Sequence, residues 1–174
     1  MSEPETRTWP SRMGSVQHFV RNFTEKLAKM ARFLAPLFLR FALAVPFFRS
    51  GLTRWDSFLT LSPSAAYLFE NQFKLHIFGG AYDFPAPLLV AHLVGTAEIM
   101  LPILLVLGLA TRYAALGLLA MTGVIQLVAP DGWANFHLPW AALALAIIAL
   151  GAGPLSLDSL ILRLSGRRKA SGAA

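Results

Sequence analysis

The chain has 174 residues, 56% of them hydrophobic and 14% charged, and carries a net charge of +6. Soluble domains have about 25% charged residues, so this balance makes lipid the expected solvent and disfavours four buried helices of a soluble bundle. Cysteine is absent, which excludes disulfides, thiol redox chemistry, Cys-ligated iron–sulfur clusters and c-type haem attachment by this chain.

Residues 1–14 are polar and read as a disordered start. From Ser15, apolar Val16, Phe19, Val20, Phe23, Leu27 and Met30 recur at helical spacing, with Arg21, Lys26, Lys29 and Arg32 between them. This predicts a basic amphipathic helix, ending near residue 32, that lies on an anionic leaflet or packs on a partner protein. Four apolar runs follow, Phe33–Thr53, Pro87–Leu109, Tyr113–Ala129 and His137–Gly151. A span needs about 20 residues, so the last two cross with little tilt. The first run starts late and carries Arg40, Pro46 and Arg49, so it reads as a retained signal anchor rather than a cleaved peptide.

Residues 54–86 form the longest connection. Ser62-Pro63 marks a helix start, Ala65–Phe73 a short helix, and Gly79-Gly80 with Pro85 and Pro87 a break. Leu109-Ala110-Thr111-Arg112 and Pro130-Asp131-Gly132 are tight turns, so neighbouring spans run antiparallel. The fold class is therefore all-α: a transmembrane four-helix up-down bundle with an N-terminal amphipathic interfacial helix. Residues 1–32, 33–162 and 163–174 are the basic start, the membrane domain and a basic flexible tail. Trp55, Tyr82, Trp133 and Trp140 mark one interface and Tyr113 the other. Basic residues crowd the two termini and Arg112, which predicts both termini in the cytoplasm. No recognition motif accompanies the charge, so nucleic acid is not an expected partner.

Glu98 lies near the middle of the second run, where an isolated carboxylate must be protonated, paired or turned to a wet cavity. Arg40 is about 10 Å into the first span and Glu98 about 16 Å into the second, at similar levels. A pair between them, structural or functional, would offset the burial of each. Arg49, His92, Gln126 and His137 fall in the outer half of the bundle, and Thr122 shares a face with Gln126. A single outward pocket lined by Arg40, Arg49, His92, Glu98, Thr122, Gln126 and His137 is expected, although Arg40 and Arg49 are nine residues apart and on opposite helix faces. Pro102 frees the carbonyl of Glu98. The histidines show no metal-ligand spacing, and no phosphate loop, nucleophile elbow or dinucleotide fingerprint is present.

Arg40, Gly51-Leu52-Thr53-Arg54-Trp55, Ala97-Glu98-Ile99-Met100-Leu101-Pro102, Leu107-Gly108-Leu109-Ala110-Thr111-Arg112 and Gly153-Pro154-Leu155-Ser156-Leu157-Asp158 occur in this order. In these segments the chain resembles the DoxX family of small four-helix membrane proteins, from about Phe33 to Leu162. The resemblance implies a multi-pass protein of the bacterial inner membrane with Arg40 and Glu98 as an intramembrane polar pair. Some relatives resemble the membrane subunit of thiosulfate:quinone oxidoreductase, and others are linked with oxidative or metal stress. Two readings follow. One is an accessory, quinone-interacting subunit of an oxidoreductase system, with no intrinsic cofactor and no catalysis of its own. The other is a non-enzymatic anchor, small-solute carrier or stress accessory protein. Either is expected as a homo-oligomer or beside a partner subunit.

Overall fold

The computed structural model describes the backbone of residues 12–171 and the side chains of residues 16–165. Residues 1–11, on which most of the expected disordered start falls, lie outside the described residues. Helix α1 runs without interruption from Arg12 to Leu52, 41 residues or about 60 Å. A separate interfacial helix ending near residue 32 is therefore not formed. The residues between Met30 and Ala35 include no glycine, and Pro36 removes only one backbone bond of a helix already supported on both sides. The apolar stripe from Val16 to Met30 remains exposed.

Helices α3 (Pro87–Leu107), α4 (Thr111–Val128) and α5 (Leu138–Leu150) complete the bundle. A short helix, α2 (Pro63–Tyr67), precedes them and α6 (Leu157–Ser171) follows. Helix α6 extends as far as Ser171, into the segment expected as the basic tail. Among the described residues, four segments are long and apolar enough to cross a membrane: Val16–Leu52, Pro87–Leu107, Thr111–Val128 and Pro130–Leu150. The last gains its length from turns of helix over Pro130–Gly132 and Trp133–His137 ahead of α5. Helix α1 packs on α3 and α5, α3 on α4, and α4 on α5, closing a ring of four. Its core is Leu43, Ala44, Phe47, Leu105, Ala114, Ala115, Leu118, Ala144 and Ile147. The four alanines let the helix backbones approach closely.

Helix α1 is short at one end. A Cβ on Gly51 would lie 2.9 Å from Ile99 Cγ1 and 3.0 Å from Glu98 Cβ, so α1 finishes at the depth of Glu98. Helix α3 continues for another eleven residues toward Pro87, about 16 Å. The connection after α1 fills the space left beside it. It contains hairpin β1 (Trp55–Ser57) and β2 (Thr60–Leu61), then α2, then a wide helical turn over Leu68–Gln72. Hairpin β3 (Lys74–Ile77) and β4 (Gly80–Asp83) closes it. Ser62 caps α2 as its sequence predicts, its Oγ accepting from Ala65 N–H at 3.2 Å. Phe78 and Gly79 turn the second hairpin with φ of 48° and 82°, the positive pair that a two-residue turn requires. His76 Nδ1, 3.0 Å from Leu127 O, ties this hairpin to the end of α4. We call this the hairpin end of the bundle and the opposite one the tail end.

Candidate functional site

Glu98 is 1% exposed, so its charge requires compensation within the protein. Arg54 supplies it side-on: Nε donates to Oε2 at 3.0 Å and Nη2 to Oε1 at 3.3 Å. Ser50 Oγ donates to Oε1 at 3.0 Å. Three charge-assisted bonds hold one carboxylate, and two come from a planar fork whose geometry matches it. The guanidinium lies 5.1 Å from the ring centre of Phe69 and 5.9 Å from that of Phe73, a favourable placement over aromatic faces.

This cluster sits in the wall of a cavity of about 510 Å³. Phe47, Leu93, Val94, Leu101, Met121, Val124, Ile125 and Trp140 line it from the helices, and Phe69, Phe73 and Phe84 cover it from the connection. Ser50, Arg54 and Glu98 are the polar residues among its lining. An apolar chamber with one concentrated polar spot is suited to an apolar molecule that carries a small polar head.

The expected Arg40–Glu98 pair does not form. Arg40 is fully buried at the tail end, where Nε donates to Pro36 O at 3.3 Å, Nη1 to Val106 O at 3.4 Å and Nη2 to Leu155 O at 2.5 Å. Counting rise per residue placed Arg40 and Glu98 on one level because it assumed that α1 and α3 enter the membrane together. In the structure α1 is displaced toward the tail end, and its arginine meets the carbonyl end of α3 instead, where helix polarity favours a cation.

The other expected pocket residues separate as well. Arg49 is exposed on the outside of the bundle. His92 turns outward, with Nδ1 2.7 Å from Leu88 O and its ring 5.8 Å from that of Trp55. Thr122 is buried and returns its hydroxyl to Leu118 O at 2.7 Å. Gln126 and His137 do meet: His137 Nδ1 donates to Gln126 Oε1 at 2.6 Å, and Gln126 Nε2 donates to Pro130 O at 3.2 Å. They brace the start of the fourth span and are absent from the cavity lining, which α4 supplies through Val124, Ile125 and Val128. Of the seven expected residues, Glu98 alone reaches the cavity.

Ser50 and Arg54 were missed. Arg54 follows the last residue of α1, Leu52, so no helical spacing in the sequence ties it to Ser50 or Glu98. A second polar knot forms at the tail end. Asp158 accepts from Ala110 N–H at 2.8 Å and Thr111 N–H at 3.0 Å, and from Thr111 Oγ1 at 2.9 Å. It thereby caps the start of α4, while its own N–H donates to Gly108 O at 2.9 Å. Burial alone would raise the Asp158 pKa, but these hydrogen bonds and the charge of Arg40 outweigh it and hold the carboxyl below its ordinary value.

The segments that carry the resemblance therefore meet in two places, at Glu98 and at Gly108. A family model described as DoxX matches residues 35–131, more than half of the chain. The chain belongs to the DoxX family. An uncharacterized protein of Haemophilus influenzae is 33% identical over 137 residues, covering 72% of this chain and 82% of the relative. No solved structure matches the chain significantly. The DoxX match includes α1 from Ala35 onward, the connection, α3 and α4, and hence both halves of the Arg54–Glu98 pair.

Proposed function

We propose that this DoxX protein is an accessory membrane subunit of an oxidoreductase system that binds a quinone in the Arg54–Glu98 cavity. The observation that carries the reading is an aromatic, hydrocarbon-walled chamber whose polar spot combines a hydrogen-bond donor and a carboxylate. Arg54 Nη1 makes no hydrogen bond among the described residues and is the donor available to a head-group oxygen. Glu98 is placed to hold a proton near that oxygen. Aromatic and aliphatic side chains suit a ring and an isoprenoid tail. A quinone supplies two-electron, two-proton chemistry when bound. The chain itself offers no cysteine for a metal-cluster centre, so the electron donor or acceptor belongs to a partner chain. The basic-residue asymmetry supports insertion in the bacterial inner membrane with both termini cytoplasmic.

The test is binding of a short-tailed quinone analogue to the purified protein in nanodiscs, with quinone extracted from native membranes as a parallel measure. Val124→Trp, which fills the cavity, and Arg54→Met should each weaken binding about tenfold or more (about 1.4 kcal/mol). Gln126→Leu should leave it unchanged. Equal binding by all variants, or no analogue bound by the wild type, would favour the anchor or carrier reading.

A further inference from the structure

The cavity beside Arg54 and Glu98 is covered at the hairpin end and open at its side. Phe69 is buried in the cover, its ring 5.1 Å from that of Phe73 and 5.9 Å from that of Phe84. The exposed residues of the lining are Leu93 on α3, Ala120 and Val124 on α4, and Ala129 just beyond α4. Those from α1, α5 and the connection are all buried or half-buried. A side chain that lines a cavity and is also exposed stands at its mouth, so the mouth is the seam between α3 and α4. Toward the tail end the seam is closed, since a Cβ on Gly117 would lie 2.9 Å from Leu101 Cδ1. Between Leu101 and Leu93 helix α3 rises about 12 Å, which sets the height of the opening. Both helices have the length and hydropathy of membrane spans, and no residue of the mouth has a polar side chain. The opening therefore faces hydrocarbon rather than water.

We propose that this seam is a lateral doorway: the ligand enters from the bilayer between α3 and α4, and its tail stays in the bilayer after the head is bound. The inference rests on the quinone reading and adds to it the route and the ligand class, a membrane-dissolved amphiphile whose tail length the protein does not select. Ser50 and Arg54 belong to α1 and the residues just after it, across the cavity from α4. A head that reaches them from the seam leaves its tail pointing back through Leu93 and Val124. A tail left among lipid chains needs no room in a chamber of about 510 Å³. The aromatic cover, held by Arg54 over Phe69 and Phe73, then serves to keep water from the head rather than to admit the ligand.

The chain has no cysteine, so Leu93→Cys with Val124→Cys supplies a unique pair of thiols, one on each side of the seam. In nanodiscs, a reducible bifunctional thiol reagent that bridges the pair should slow both uptake and release of the short-tailed quinone analogue at least tenfold. Reductant should restore both rates in the same sample. A second measurement uses the wild type and stands even where the double variant does not fold. An analogue with a bulky dye at the end of its tail should bind within threefold of the plain analogue, because the dye remains among the lipids. Unchanged uptake and release in the bridged protein overturn the doorway and leave the quinone reading in place, as does a loss of more than threefold for the dye-tailed analogue. No binding of the plain analogue by the wild type overturns the quinone reading and the doorway with it.

Discussion

Glu98 and Arg54 illustrate what a buried charge demands of its neighbours. Removing either partner leaves the other uncompensated in an apolar wall, at a cost of about 3–5 kcal/mol. Arg54→Met and Glu98→Leu should each lower the unfolding midpoint in detergent by that order, and the double substitution should be milder than the sum. Arg40→Met should add independently to Glu98→Leu, since the two residues share no partner; a coupling above about 1 kcal/mol would restore the abandoned Arg40–Glu98 pair. Asp158 makes a separate prediction in acid. Its folded pKa lies below the ordinary value of 3.8, so its contribution is complete above that value and is lost as the pH falls through the lower folded value. The stability gap between wild type and Asp158→Asn should therefore narrow below about pH 4. An unchanged gap at pH 3 would show that the carboxylate charge is not what caps α4.

At the scale of elements, the turn between α3 and α4 is the least tolerant of change. Gly108 has φ of +69°, and a Cβ there would lie 2.1 Å from Arg40 Nη1 and 2.5 Å from Ser156 Cβ. Gly108→Ala should cost about 2 kcal/mol or more, from the left-handed backbone and the displaced arginine together. Thermal unfolding measures it directly, and an effect below about 0.5 kcal/mol would mean that the turn relaxes freely. The four spans were legible because apolar runs of 15 to 23 residues have few other uses, and the turns between them carried Gly, Pro or Asp. Ser62-Pro63 was legible for the same local reason. The two hairpins were not, because strands of two to four residues are too short to show alternation. Arg54 read as an external charge because it follows an apolar run of spanning length. That it folds back over Glu98 depends on α1 stopping at Glu98's depth, which is a tertiary fact with no local mark in the sequence.

For the whole molecule, the proposed topology of four crossings would keep the two ends of the chain on one side. Reporter fusions at Ser64 and after the last residue should report opposite sides of the membrane, with the C-terminal one cytoplasmic. Agreement between the two would remove a crossing. At the tail end the bundle is sealed by contacts of α1 and the α3–α4 turn with the segment that leads into α6.

Arg40 makes one of those contacts, and its acceptor on Leu155 lies 115 residues further along the chain. During synthesis at roughly 5–20 residues per second, about 6 to 23 s separate the appearance of the arginine from that of the carbonyl. Over that interval the first helix holds a cation whose final partner does not yet exist, so the tail end of the bundle can be sealed only after the last crossing has left the ribosome. A nascent chain cut between Val128 and Leu155 would contain α1, α3 and α4 complete, yet would hold Arg40 without its closing acceptor. Such a chain lacks α6 and leaves the Nη2 donor of Arg40 without its acceptor, a mark by which quality control could tell it from the finished protein.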